Sequence, residues 1–238
     1  NIIDCIKKNK LSKIKVVFSM YLGGCPENVI EIFRLKKKYK FILIEDACHA
    51  FGSKYKYKKK YLKIGSCEHS DICTFSFHPV KPITTGEGGA LTTNNLNYAK
   101  KARLFRSHNI IRNKNKHWVY NIKSFGMNYR LSDINCALGN SQIKKINKFI
   151  KIRNNISKQY NNYLKKFTEY LQPIYYNEKY SSHHLKILLF NLKKLKCKKN
   201  EIFKFFKKNK IFLQYHYIPI YKFNIANKYD TNFFVGAN

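Results

Sequence analysis

The chain has 238 residues, 44% hydrophobic and 16% aromatic, enough for one large domain, or a large domain with a smaller appendage, around a sizeable core. Its formal charge of +34 comes mostly from lysines spread along the chain among many Asn, Ile, Tyr and Phe, as AT-rich coding produces, with arginine only at Arg34, Arg103, Arg106, Arg112, Arg130 and Arg153; this argues against nucleic-acid binding as the main role. Seven cysteines without framework spacing, and no signal peptide or long apolar span, argue against an oxidised or membrane setting and make a reducing cytoplasm the expected compartment.

Residues 1–10 read as the end of a helix or a surface segment. Lys15 to Ser19, KVVFS, predicts a short buried strand, and Met20 to Pro26 a loop. From Glu27 to Lys37, apolar Val29, Ile30, Phe33 and Leu35 recur close to helical spacing between charged residues, which predicts an amphipathic helix. Phe41 to Ile44 is an unbroken apolar run, the mark of a strand buried on both faces of a parallel sheet. Its carboxyl end delivers Glu45 and Asp46, with Cys48 and His49 just beyond, and ligands of open α/β sheets sit at such strand ends. A carboxylate at a strand-to-helix turn also serves as a helix N-cap, and a histidine there also serves as packing.

Residues 54–70 form a basic, Tyr-rich hairpin or loop, and Asp71 to Phe77 a second strand. Lys81 follows between that strand and Gly86, Gly88 and Gly89, where the backbone can adopt conformations and approaches that side chains forbid. A lysine is the side chain that forms a Schiff base with a carbonyl cofactor, and partial desolvation helps it lose its proton. Gly88 to Thr93 predicts a strand, Leu96 to Ser107 a helix, and residues 109–124 a polar loop holding Trp118 and Tyr120. Ser132 to Phe149 predicts a helix, with Asp133 in the first turn suiting its dipole, and Lys151 to Phe167 a charged helical connector.

Beyond residue 170 the pattern becomes α+β: Ser182 to Leu189 and Phe212 to Ile218 read as strands flanking a basic helix, Lys198 to Lys210. The expected division is a large domain over 1–150 and a small one over 151–238, with Asn224 to Asn238 loop-like. Cys67, His69, Cys73 and His78 cluster in sequence but lack the paired short spacings of a structural zinc site, so no metal is expected.

EDACHAFGS, then SFHPVKPITTGEGGALTTN, RSH and GMNYRLSDINCALGNSQ occur in that order, and together they resemble the DegT/DnrJ/EryC1/StrS sugar aminotransferases. MYLGGCPEN and LQYHYIPIY resemble most the branch that aminates 4-keto-6-deoxy UDP-hexosamines towards pseudaminic or related nonulosonic acids. The resemblance implies an α/β, aspartate-aminotransferase-like fold of type I, with an incomplete large domain on a mixed sheet and a small α+β C-terminal domain. It also implies pyridoxal phosphate as cofactor, glutamate as amino donor, a nucleotide-sugar substrate and a homodimer with a shared active site.

Residue by residue, the resemblance makes Lys81 the lysine that holds the cofactor and Asp46 the partner of its protonated ring nitrogen. His49 would lie beside the ring near its phenolic oxygen, and Ser76 would bind the phosphate. Asn128 would reach the phosphate held by the neighbouring subunit, and Arg130 is a candidate for the same shared site. Tyr21, Arg106, His216 and Tyr217 are candidates for sugar or nucleotide contacts, each with a packing or surface role as the alternative. The dehydrating branch of the family carries histidine in place of Lys81, which points to transamination here. Asn109 replaces the usual Gly after RSH and tolerates a left-handed backbone. The family's N-terminal Gly-Thr phosphate turn does not precede Lys15, so the polypeptide as given is expected to be a poor catalyst alone.

Overall fold

A mixed four-stranded sheet carries the larger of two units into which the chain divides, Lys15–Leu189; the other comprises Asn1–Ile14 with Phe190–Asn238. The computed structural model describes residues 2–11, 13–116, 118–174, 179–219 and 222–224. Helix α1 (Ile2–Lys8) opens the smaller unit. The larger begins with β1 (Val16–Met20), then α2 (Val29–Tyr39), β2 (Ile42–Asp46), the hairpin strands β3 (Lys54–Tyr57) and β4 (Lys60–Lys63), β5 (Ile72–Ser76) and β6 (Gly89–Thr92).

Strand order in the sheet is β1-β2-β5-β6. The first three strands run parallel, with Met20 opposite Asp46 and Asp46 opposite Thr74, and β6 returns antiparallel with Gly89 opposite Ser76. One face of the sheet buries Leu43, Cys73 and Phe75, and Cys73 and Phe75 belong to a core cluster with Tyr21, Val29, Ala47, Ala50 and Ile83. The opposite face is open: Phe18 is 71% exposed, and Ile42 and Ile44 are only half-buried. The expectation that FILI is buried on both faces is therefore corrected among the described residues; strand direction was legible in the run, its second covering layer was not. Leu43→Ala should cost about 2–5 kcal/mol by leaving a cavity under the covered face. A denaturant melt of the variant beside the parent checks this.

Helix α3 (Leu96–Arg106) starts at Asn95, whose side chain accepts the Asn97 and Tyr98 amides. The predicted loop over 109–124 instead contains a hairpin, β7 (Ile110–Arg112) and β8 (Tyr120–Ile122), paired antiparallel. Its strands are three residues long, too short for alternation to register against a polar background. Asn109 takes φ 53°, and its side-chain Nδ2 donates to Ser124 Oγ (3.0 Å) and Phe125 O (2.7 Å), so the left-handed backbone expected to be tolerated there is present and locally satisfied.

The two helical stretches expected around residue 150 are one 32-residue helix, α4 (Asp133–Leu164), capped by Ser132 with Asp133 in its first turn. The division expected after residue 150 falls within α4. Strand β9 (Leu171–Pro173) follows, and β10 is confined to Leu188–Phe190, so Ser182–Ile187 is not the strand expected. In the smaller unit come α5 (Leu192–Leu195) and α6 (Lys199–Lys208). The strand expected over Phe212–Ile218 is absent, that segment being irregular. Most of the loop expected at Asn224–Asn238 lies outside the described residues.

Candidate active site

Asp46 ends β2, where its carbonyl accepts the Tyr21 amide (3.1 Å) and its Oδ1 accepts the Cys48 amide (3.1 Å). No helix follows, so the carboxylate is not an N-cap. It holds a tight turn that closes where the Ala50 amide reaches the Ala47 carbonyl (2.8 Å). His49 sits inside that turn, 2% exposed, with Nδ1 accepting the Gly23 amide (3.3 Å).

The neighbouring parallel strand delivers the second half of the site. Ser76 ends β5, its Oγ accepting the His78 amide (3.4 Å). His78-Pro79-Val80-Lys81 then makes a turn closed by the Lys81 amide on the His78 carbonyl (2.9 Å), with proline at the position where its fixed φ is favourable. Behind half-buried Lys81, the chain folds back through Thr85 N–H to Phe77 O (3.0 Å) and Phe77 N–H to Gly88 O (2.8 Å). Gly88 has φ +150°, and a Cβ there would run into Thr85 Oγ1 and Leu131, so this corner requires glycine. Asn135 Nδ2 donates to Glu87 O (3.3 Å), tying the start of α4 to the same loop.

Cys48 reports on the charges around it. Burial pushes its thiol up to about 11, the Asp46 carboxylate adds to the rise, and the Lys81 ammonium opposes it. Asp46 and Lys81 therefore act on one thiol, the carboxylate from the end of β2 and the ammonium from the turn that follows β5. This donor set suits a phosphorylated aldehyde with a basic ring nitrogen: an amine for the carbonyl, a carboxylate for the protonated nitrogen and a hydroxyl at a strand end for the phosphate.

Arg106, Asn128 and Arg130 come together where the end of α3 meets the GMNYR segment. The Tyr129 amide donates to Arg106 O (2.9 Å), and Ser107 bridges Asn128, which joins the end of α3 to the GMNYR segment. All three predicted residues are exposed there. His216 and Tyr217 belong to the smaller unit, in its irregular stretch, with ring centroids 4.6 Å apart.

Tyr21 is placed in the core rather than at a substrate surface. It is 3% exposed, and its hydroxyl donates to Glu45 Oε1 (2.6 Å). The buried Glu45 carboxylate was missed as a structural centre, although its position was legible: Leu43, Glu45 and Ala47 alternate onto the covered face. Burial raises the Glu45 carboxyl above its ordinary value of 4.5, with the Tyr21 hydrogen bond opposing the rise. The folded chain thus holds this proton more tightly than the unfolded chain. Stability from the group is full below about pH 4.5 and is lost as pH rises through the raised value. Glu45→Gln should flatten the pH dependence of the denaturation midpoint in that window, and superimposable profiles would count against a buried carboxyl. Tyr21→Phe, which strips the acceptor of its donor, should cost about 1–3 kcal/mol at neutral pH in the same melts.

Of the cysteines and histidines that cluster in the sequence, three are buried and one is exposed. Cys67 and Cys73 are buried in the core, His69 Nδ1 pairs with the Tyr55 hydroxyl (2.6 Å), and His78 is exposed.

Residues 3–234 match the DegT/DnrJ/EryC1/StrS aminotransferase family. The UDP-4-amino-4,6-dideoxy-N-acetyl-beta-L-altrosamine transaminase of Campylobacter jejuni is 43% identical over 207 residues, which are 87% of this chain and 52% of that protein. Helicobacter pylori PseC, an aminotransferase involved in the biosynthesis of pseudoaminic acid, shares the fold with a TM-score of 0.81 at 33% identity, over 94% of this chain and 59% of its own. The PLP-form of Spr1654 from Streptococcus pneumoniae, 24% identical, shares the fold alone, with a TM-score of 0.74 over 90% of this chain and 57% of its own. The chain spans about half the length of the curated relatives it matches. The expected α/β, type I architecture is thus the one observed, and with residues 3–234 matched, the chain belongs to the DegT/DnrJ/EryC1/StrS aminotransferase family.

Proposed function

We propose that this chain belongs to a pyridoxal-phosphate-dependent transaminase that moves an amino group from an amino acid, glutamate, to a 4-keto-6-deoxy nucleotide sugar, giving a 4-amino sugar for cell-surface glycan or nonulosonic acid synthesis. The observation that carries the reading is that Asp46, at the end of β2, and Lys81, in the turn after the adjacent β5, act on the same Cys48 thiol in opposite senses. The 43% identity to an amino-sugar transaminase gives it its substrate class.

Bound there, pyridoxal phosphate would supply an electron sink for the charge left when a proton departs from the carbon bearing the amino group. Lys81 Nζ would hold the cofactor covalently and, once released, carry that proton from one carbon to the other. The Asp46 carboxylate would hold the proton on the ring nitrogen, which keeps the sink effective. Ser76 would take the phosphate, and His49 would lie against the ring system. Tyr21 drops out of the substrate contacts because its hydroxyl is committed to Glu45; Arg106, His216 and Tyr217 remain as sugar or nucleotide contacts.

A homodimer completes the reading. Two cavities among the described residues, about 300 and 250 Å³, are lined by residues such as Glu27, Lys54, Asn147 and Tyr180. In the homodimer, Asn128 and Arg130 of a second copy, both exposed on this chain, reach the phosphate held by the first. The assembly would work in the cytoplasm; among the described residues no helix is long and apolar enough to cross a membrane.

Absorbance spectroscopy tests the function. Pyridoxal phosphate added to the purified protein should give the visible band of a lysine-bound cofactor, and glutamate should bleach that band. A band that no amino donor changes would remove the transaminase reading.

A further inference from the structure

Three segments far apart in sequence meet around His49. The Gly23 amide donates to its Nδ1 (3.3 Å), and its carbonyl accepts the Ser182 hydroxyl (2.6 Å). The His184 ring lies 4.3 Å from its ring, centroid to centroid. Ser182 is itself fixed: its amide donates to Ser53 Oγ (2.8 Å), and Ser53 Oγ donates to Gly24 O (2.7 Å). The Leu185 amide reaches Gly23 O (3.3 Å), and Arg153 Nη1, from α4, holds the carbonyls of His183 (3.1 Å) and His184 (3.3 Å). Ser53 and Ser182 are fully buried, and a Cβ on Gly24 would collide with Ser182 Oγ and the His49 carbonyl. There is no room for this junction to slide.

A buried loop crossing needs its polar groups paired, and most of these bonds would serve that end alone. The Gly23 contact does more. A ring nitrogen that accepts a hydrogen bond carries no proton, so the imidazole proton lies on Nε2, an assignment made from the hydrogen-bond partner. Ring angle and tautomer are thus both set by groups outside the Asp46 turn.

We propose that the Gly23–Gly24 turn and Ser182–His184 form a positioning clamp that fixes His49 as the Nε2–H tautomer and, through the turn from Ala47 to Ala50, holds Asp46 Oδ1 on the Cys48 amide. Ser182 and His184 are positioning residues: they touch His49, and His49 meets the ligand. The part of this role directed at a cofactor oxygen rests on the transaminase reading; the tautomer itself does not.

Long-range ¹H–¹⁵N spectra of the histidine rings test the clamp in the protein without cofactor. The wild-type chain should show His49 as Nε2–H, and Ser182→Ala should move its ring nitrogens towards a tautomer mixture. Pyridoxal phosphate should bind Ser182→Ala about tenfold more weakly than wild type, the loss of roughly one buried hydrogen bond. If Ser182→Ala does not fold, His184→Ala is measured in its place, with the same change in the ring signals expected. An Nδ1–H tautomer in the wild-type chain, or ring signals unmoved in a folded Ser182→Ala or His184→Ala chain, would overturn the proposal. A wild-type chain with the Nε2–H tautomer that takes up no pyridoxal phosphate would sink the functional reading while leaving the clamp in place.

Discussion

Lys81→Ala should abolish the visible band given by pyridoxal phosphate and lower transamination by about 10²–10⁴-fold or more, since one amine is asked both to hold the cofactor and to move the proton. The fold should survive. The Lys81 amide, not its side chain, closes the turn onto His78, and the packed elements of the corner are Ile83, Thr85 and Gly88. A second readout needs no cofactor. The Lys81 ammonium lowers the Cys48 thiol against burial and the Asp46 carboxylate, so its removal should raise that thiol further and slow alkylation of Cys48. Mass spectrometry resolves Cys48 from the other six cysteines. Unchanged Cys48 reactivity would separate Lys81 from Asp46, and a persistent visible band would assign cofactor attachment to another lysine.

The parts of the site that the sequence made legible are those carried by short stretches of chain. FILIED announces a strand ending in a carboxylate because apolar residues run up to the charge, and DICTFS followed by HPVK announces a strand, a proline turn and a lysine. Each signal fits within about ten residues, and parallel pairing then brings the two ends together with Asp46 opposite Thr74. Ser182 illustrates what was hidden. It stands 133 residues from His49, and nothing in SSHHLK marks a serine destined for a buried carbonyl; alternation suggested a strand where the chain spends its polar groups on two other loops. Tyr21 was left open between two roles for a related reason. A tyrosine in a glycine-rich loop reads equally well as a ligand contact or a core residue, and only the inward parity of Glu45, one strand away, decides between them.

The open face of the sheet sets the limit on composition-based reading of burial. Val16, Phe18 and Met20 alternate outward along β1 and are 39%, 71% and 44% exposed, although apolar runs in parallel strands ordinarily report two covering layers. The residues record the environment in which the sheet is used. The described residues cover one side, and the family relatives are about twice as long. Exposed apolar area of this kind marks a surface that meets more protein.

Asp46→Asn should leave the fold intact and still lower transamination by about 10²–10³-fold, the scale on which loss of one preorganised electrostatic partner is felt. Asparagine keeps a side-chain oxygen where Oδ1 accepts the Cys48 amide, so the turn through His49 retains its closure. What it loses is the negative charge, and a neutral amide cannot hold a proton on a ring nitrogen. Asp46→Ala removes the acceptor as well and should add a stability loss of about 0.5–1.5 kcal/mol, so comparing the two variants divides charge from scaffolding. The Cys48 thiol again supplies a cofactor-free check of opposite sign to that for Lys81. With the carboxylate gone, one cause of its elevation disappears, the thiol falls towards its ordinary range, and Cys48 should alkylate faster than in the parent. Faster alkylation in Asp46→Asn with slower alkylation in Lys81→Ala would establish that the two charges face one another across this thiol. Shifts of the same sign in both variants would show that Cys48 is answering a change in exposure, and the electrostatic pairing on which the functional reading rests would fall.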